Sequence, residues 1–256
     1  MSDGWPRLAL SGEPPFDVRI GSDVCSSLGW LFGGWGMGLL AEAAQTSTGR
    51  AVRDLSVDFV RGVADGARLR VHCEPMARGR TFTYCRVSAV DERDDVALSG
   101  TAVLAQRGAG GAPPATALLA PKAPPPEVCP ERQYALGPGT GTSLLLDVRD
   151  AGEDLSRGAG NFALLWARLR CPAADEVRLA VISDHVPFLL RRSMPAPSRF
   201  TTVGATLRLW DAPLDEWVLL EVSLVSLGER SAVGRVNLWS AGTELVGVAE
   251  QTTWMS

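Results

Sequence analysis

The segment GGWGMGLLAEAAQTS, residues 33–47, is followed at 52–62 by VRDLSVDFVRG. The first is an apolar stretch of helical length. The second is the first of four β-rich runs, continued by ARLRVHCEPM (67–76), RTFTYCRVSAV (80–90) and DVALSGTAVLAQ (95–106). β-branched and aromatic residues dominate these runs, and Asp, Gly, Pro and Ser fill the breaks, as strands and their turns require. The order then recurs. At an offset of 150, without a gap, Gly34 falls on Asp184, Val60 on Trp210, Arg80 on Arg230, Val96 on Val246 and Thr101 on Gln251. The second set of strands reads as FTTVGATLRLW (200–210), EWVLLEVSLVS (216–226), SAVGRVNLW (231–239) and ELVGVAEQTTW (244–254), with FDVRI (16–20) and NFALLWARLR (161–170) as edge strands before each helix.

One helix followed by a strand meander, twice, predicts an α+β fold in which antiparallel sheet wraps a central helix. The alternation in RLRVHCE fits a sheet with one buried face. Two such units joined edge to edge would hide strand edges that otherwise invite aggregation. Residues 108–130 are dense in Ala, Pro and Gly and read as a linker or surface crossover. The expected organisation is therefore an N-terminal unit over 1–107, a linker and crossover over 108–160, and a C-terminal unit over 161–256.

The 256 residues are 46% hydrophobic and 21% charged, an ordinary globular balance, and the net charge of −4 gives no electrostatic reason to bind nucleic acid or anionic membrane. No apolar run reaches the roughly 18 residues of a membrane span, and the start of the chain lacks the pattern of a signal peptide. Five scattered cysteines fit reduced thiols in a cytoplasm, and with only His72 and His185 a His/Cys metal site is not expected. GPGTGTS (137–143) is glycine-rich but lacks a following Lys and a strand–loop–helix context, so it is not read as a phosphate loop. No GxSxG elbow is present.

The stretch RLAVISDHVPFLLRR, 178–192, places Asp184 inside an oily run, where an ionised carboxylate is costly without a partner. Pro187 disfavours one uninterrupted helix, so a break near Ser183–Asp184 is expected, with Asp184 capping a new helix. Taken alone, that cap is a sufficient reason for the residue.

LFGGWGMGLLAEAA, DFVRG and EPMARGRTFTYCRVSAV in the first half, with ISDHVPF, FTTVGATLRLW, DEWVLL and LVGVAEQTTW in the second, resemble the acyl-CoA thioesterase II (TesB-like) double-hotdog family over about Phe16–Met255. The resemblance implies a double hotdog fold, acyl-CoA as substrate, no cofactor and no metal. It also implies an Asp, a Thr and a Gln that activate water, which fall here on Asp184, Thr202 (with Thr201 next door) and Gln251. A helix start would keep Asp184 ionised, and Thr202 and Gln251 would hold the water. Backbone donors for the thioester carbonyl are expected around Gly33, Gly34 and Trp35, or around Asp184 and His185. The glycines equally suit tight helix packing. His185 could contact substrate or sit solvated beside the base, and Trp35 and Trp210 could line an acyl tunnel or pack in the core. Arg61, Arg191, Arg192 and Arg199 could hold coenzyme A phosphates.

The sequence departs from the family pattern at Gly204-Ala205, where many members carry Asp-His or Asp-Asn, at Trp35 in place of Gln, and at Asp54-Leu55-Ser56 in place of His-Ser-Phe. These departures keep open a non-catalytic acyl-CoA sensor or carrier. A hotdog hydratase or dehydratase is a further alternative. No partner is expected beyond the small-molecule substrate, and a homo-oligomer stays open.

Overall fold

In the computed structural model, residues 10–108, 118–132, 140–152, 161–194, 200–241 and 243–255 are described. Among them eleven strands form one antiparallel sheet. They are β1 (Phe16–Arg19), β2 (Ala51–Phe59), β3 (Arg68–Arg78), β4 (Phe82–Val90), β5 (Val96–Ala105), β6 (Leu146–Gly152), β7 (Phe162–Leu169), β8 (Phe200–Leu209), β9 (Val218–Leu227), β10 (Ser231–Ser240) and β11 (Glu244–Met255). Their order is β1-β3-β4-β5-β2-β8-β11-β10-β9-β7-β6. Read outward from the β2–β8 seam, the two halves repeat one another, with β6 added at the far edge. The seam is an antiparallel ladder from Asp54 opposite Arg208 to Asp58 opposite Gly204. It joins the two hotdog sheets and leaves neither inner edge bare.

Three helices pack on one face: α1 (Gly33–Thr48), α2 (Asp175–Ile182) and α3 (Val186–Ser193). Helix α1 is buried along most of its length, from Gly34 through Ala44, as the central helix of a hotdog must be. It ends at Gly49, whose φ of 68° is the left-handed conformation glycine adopts without a Cβ penalty, and whose N–H reaches Gln45 O. In β3 the apolar Leu69, Val71 and Cys73 face this core while Arg68, Arg70, His72 and Glu74 face outward. The C-terminal half carries two short helices where the N-terminal half has one. The break expected near Ser183–Asp184 is present, and Pro187 lies in the first turn of α3.

Strand pairing refines the internal repeat. At the helix start and along β2 and β8 the offset is 150, and both strands carry a bulge at the same place, near Val52 and near Thr202. In the outer strands it is 149. Ala102 pairs with Leu55 just as Gln251 pairs with Ala205, so the counterpart of Gln251 is Ala102 and not Thr101. A one-residue slip turns every side chain of a strand to the opposite face, which is why Thr101 is exposed while Gln251 is buried.

The Ala/Pro/Gly-rich region is more built than its composition suggests. Ala120, Ala123 and Cys129 pack with Phe162, Leu164, Trp166, Leu219 and Trp239 in a second apolar cluster. Trp166 Nε1–H donates to Pro124 O at 2.8 Å. Prolines lack an N–H but keep the carbonyl, so this segment is fastened by its acceptors and by apolar contact. β7 is consequently buried almost throughout and shows no alternation. No helix among the described residues is long and apolar enough to cross a membrane.

Candidate active site

Asp184 lies in the short connection between α2 and α3 and is 5% exposed. Its side chain does not cap α3: the cap position is His185, and no side chain bonds there. The carboxylate instead turns across the molecule to the start of α1. Gly34 N–H donates to Oδ2 at 3.0 Å, between two residues that the internal repeat makes equivalent. Gln251 Nε2–H donates to Oδ1 at 2.5 Å, and Gln251 Oε1 accepts Val186 N–H at 3.1 Å. Gln251 thus ties the carboxylate to the first turn of α3, and its own amide is fixed at both ends.

The glycine pair has two separate reasons. A Cβ on Gly33 would stand 2.5 Å from Asp184 Oδ2, and one on Gly34 would collide with Val181 O in α2. Gly33 lets the carboxylate approach, and Gly34 lets the two helices approach. Burial pushes the Asp184 carboxyl above its ordinary range, opposed by the Gln251 amide, the Gly34 and Gly33 N–H groups and the Arg132 charge. The helix start was expected to keep this group ionised. Its donors do act in that direction, but desolvation is the larger effect and the net shift is upward.

Asp184 forms part of the wall of a cleft of about 600 Å³. Leu31, Phe32, Phe59, Leu98, Leu146 and Phe200 give it an apolar lining. Arg61, Arg132 and Arg191 also border it, Arg61 paired with Asp95 at 2.5 Å, and Asp184 is its one acidic residue among those described. Thr201 and Thr202 both border it. Thr202 pairs with buried Thr253 and so shares the inward face of Gln251, whereas Thr201 pairs with exposed Trp254. The bulge between Thr202 and Gly204 permits this, because beyond it Ala205 takes the inward position opposite Gln251.

Other candidates are placed differently. His185 is buried, its Nδ1 against Ile182 O at 2.9 Å and its ring edge-on to Phe32. Burial drives its pKa down to about 3, so the ring is neutral, and it does not border the cleft. Trp35 is fully buried and also off the cleft; its Nε1–H donates to Thr142 Oγ1 at 2.8 Å. Trp210 packs against the second apolar cluster and borders a different pocket of about 70 Å³. The structure therefore does not bring Trp210, Trp35 or His185 to the cleft wall. Arg192 pairs with Asp150 at 3.2 Å, and Arg199 lies outside the described residues.

Thr142 and Arg132 do border the cleft, and both come from the region read as linker. Arg132 stacks on Phe188 at 4.2 Å. One signal could have pointed to Thr142: an indole at the Trp35 position of a buried helix needs an acceptor for its N–H. Among the described residues no three His, Cys, Asp or Glu side chains gather as metal ligands.

Residues 22–105 match the profile of the acyl-CoA thioesterase N-terminal domain, and residues 121–255 that of the C-terminal domain. The chain belongs to this acyl-CoA thioesterase family. No curated protein matches the sequence. Among solved structures, a candidate thioesterase from Novosphingobium aromaticivorans superposes with a TM-score of 0.84 at 24% identity, covering 99% of this chain and 100% of its own. A hot dog protein of unknown function from Alicyclobacillus acidocaldarius gives 0.84 at 18%, covering 98% and 97%. The acyl-CoA thioesterase II TesB2 of Mycobacterium marinum gives 0.74 at 20%, covering 97% and 95%. At these identities the likeness to the structures establishes the double hotdog fold.

Proposed function

We propose that this protein hydrolyses acyl-CoA thioesters to the free carboxylic acid and coenzyme A, with Asp184 as general base. The observation that carries this reading is the buried Asp184 carboxylate, held by Gln251 and by the start of α1, at the wall of an apolar cleft. Each carboxylate oxygen has lone pairs beyond the one hydrogen bond described, so it can still accept a water O–H. Thr202, on the same cleft and on the inward face of the sheet, would hold that water, while Gln251 holds the carboxylate. Water attacks the thioester carbon while its proton passes to Asp184. The tetrahedral intermediate then expels coenzyme A as thiolate, and the proton follows to the sulfur.

The raised carboxyl pKa suits the role, because a base is stronger when its conjugate acid titrates nearer the working pH. The apolar walls suit an acyl chain, and Arg191 suits coenzyme A phosphates, as does Arg61 if it exchanges its partner Asp95. Retention of Asp, Thr and Gln together favours turnover over binding alone. A neutral His185 turned to Ile182 O supplies no acid or base to the cleft, which weighs against hydratase chemistry.

The test is thiol release from acyl-CoA esters of short to long chain by the native protein and Asp184→Asn. Turnover that falls at least about a hundredfold in the variant agrees with a lost general base. Equal rates would remove Asp184 from the chemistry. No turnover on any ester, with binding retained, would make the protein an acyl-CoA sensor or carrier.

A further inference from the structure

Hydrolysis at Asp184 needs donors for the oxygen that becomes negative as water attacks. The backbone at the helix starts has little left to offer. Gly34 N–H is bonded to Asp184, and the N–H groups of Trp35 and Gly36 are bonded to Phe32 O. On the other side His185 N–H goes to Ser183 O, Val186 N–H to Gln251 and Phe188 N–H to His185 O, while Pro187 has none. Most amides at the two helix starts are thus engaged within the protein, and a side-chain donor on the cleft would complement the few that are not.

Thr142 is such a side chain. It is 7% exposed and borders the cleft. Its hydroxyl accepts the Trp35 indole N–H at 2.8 Å. A hydroxyl has one proton to give and two lone pairs to receive with. The bond from Trp35 occupies a lone pair, leaves the proton for an acceptor on the cleft side, and polarises the O–H so that it donates more strongly. The backbone is held as well: Thr142 N–H donates to Cys25 O at 2.9 Å, and Leu145 N–H donates to Thr142 O. Trp35 is fixed in turn, fully buried in the first turn of α1, two residues from Gly33. Preorganisation of this kind makes a donor effective, since nothing has to reorient as charge develops.

We propose that the Thr142 hydroxyl donates to the thioester carbonyl oxygen and stabilises the oxyanion, with Trp35 as its positioning residue; this rests on the hydrolase reading above. As the bond from water oxygen to the carbonyl carbon forms, the π pair moves to the oxygen that Thr142 holds, and Asp184 takes the water proton. The pair returns as the C–S bond breaks, and the coenzyme A sulfur leaves with that proton. The Trp-for-Gln departure in the helix thereby acquires a purpose, since the indole N–H orients a group from a distant segment.

The test measures kcat and KM separately on one good acyl-CoA ester. Thr142→Val should lower kcat about a hundredfold, the scale of one lost oxyanion donor, with KM nearly unchanged. Thr142→Ser, which keeps the hydroxyl, should restore most of the rate. The double variant Thr142→Val/Trp35→Phe leaves no buried indole N–H unpaired and should show the same loss in kcat as Thr142→Val, with a melting temperature near native. Thr142→Val turning over at the native rate would overturn the proposal, as would Thr142→Ser being as slow as Thr142→Val. Arg132→Gln carrying the loss instead would assign the oxyanion to the guanidinium and also overturn it. Native turnover with an unaffected Thr142→Val removes this proposal alone. No native turnover removes the hydrolase reading and this proposal with it.

Discussion

The two halves of the chain build the same corner twice and open it once. Ser26, Phe59, Arg61 and Gly62 border the cleft of about 600 Å³, and Glu176, Leu209, Asp211 and Ala212, each 150 residues on, border a pocket of about 70 Å³. Where the first has a loop carrying exposed Leu28 and Trp30, the second has α2, packed so closely on α1 that Gly34 and Gly38 have no room for a side chain. Arg61 borders the first, paired with Asp95 at 2.5 Å, and its counterpart Asp211 is paired with Arg53 at 3.0 Å, beside Glu176, which Arg107 holds. The polar groups are divided in the same way: Asp184, Thr202 and Gln251 on one side correspond to Gly34, Val52 and Ala102 on the other. The repeat supplies the frame, and the helix that fills one copy is followed by the carboxylate that borders the cleft of the other.

The strongest way to break this comparison is to disturb the axis between the copies. Gly34→Ala forces a methyl into the α2 backbone, which cannot yield as a flexible side chain would, and should cost about 3 kcal/mol or more of stability in denaturant unfolding. Next comes Gln251→Leu, which strands the Val186 N–H and removes a bond to the charged form of Asp184. It should cost about 1 to 3 kcal/mol. A base at Asp184 would work when deprotonated, and Gln251 favours its charged form, so the acid limb of kcat/KM should move to higher pH in this variant. A limb left in place would separate Gln251 from the base.

His185 gives a smaller, pH-limited effect. Its folded pKa of about 3 lies below the ordinary 6.5, so the unfolded chain binds a proton that the folded one refuses. Stability should therefore fall as pH drops from about 6.5 towards 3 and be unaffected above that window. His185→Gln should lose less stability than the native protein on acidification, measured as melting temperature against pH. Smallest of all, Glu176→Gln in the closed pocket should cost about 1 kcal/mol, because its partner Arg107 is half exposed, and should leave turnover unchanged. A loss of rate there would show that the closed pocket takes part.

Much of this frame is legible in the sequence. Strand runs, the single long helix and the break before Pro187 all follow from local chemistry, and the repeat follows from their order. Which face each side chain occupies is not local. The 149-residue offset of the outer strands is visible only in the pairing, and it moved the counterpart of Gln251 from Thr101 to Ala102. The identity of Asp184, Thr202 and Gln251 as candidates came from residues matched to a family pattern, while the partner of Asp184 at the start of α1 needed coordinates. Thr142 is not legible in GPGTGTS, because its partner is an indole 107 residues away. Trp210 lies just past the end of β8, against the second apolar cluster, and sequence alone does not distinguish that packing from a place on the cleft.

The most direct test of a single working site is a crystal structure of Asp184→Asn soaked with a long-chain acyl-CoA. The account predicts one molecule per chain, with its thioester between residue 184, Thr142 and Thr202 and its acyl chain against Leu31, Phe59 and Leu98. Density in the pocket of Glu176 and Asp211, or a thioester remote from residue 184, would contradict it.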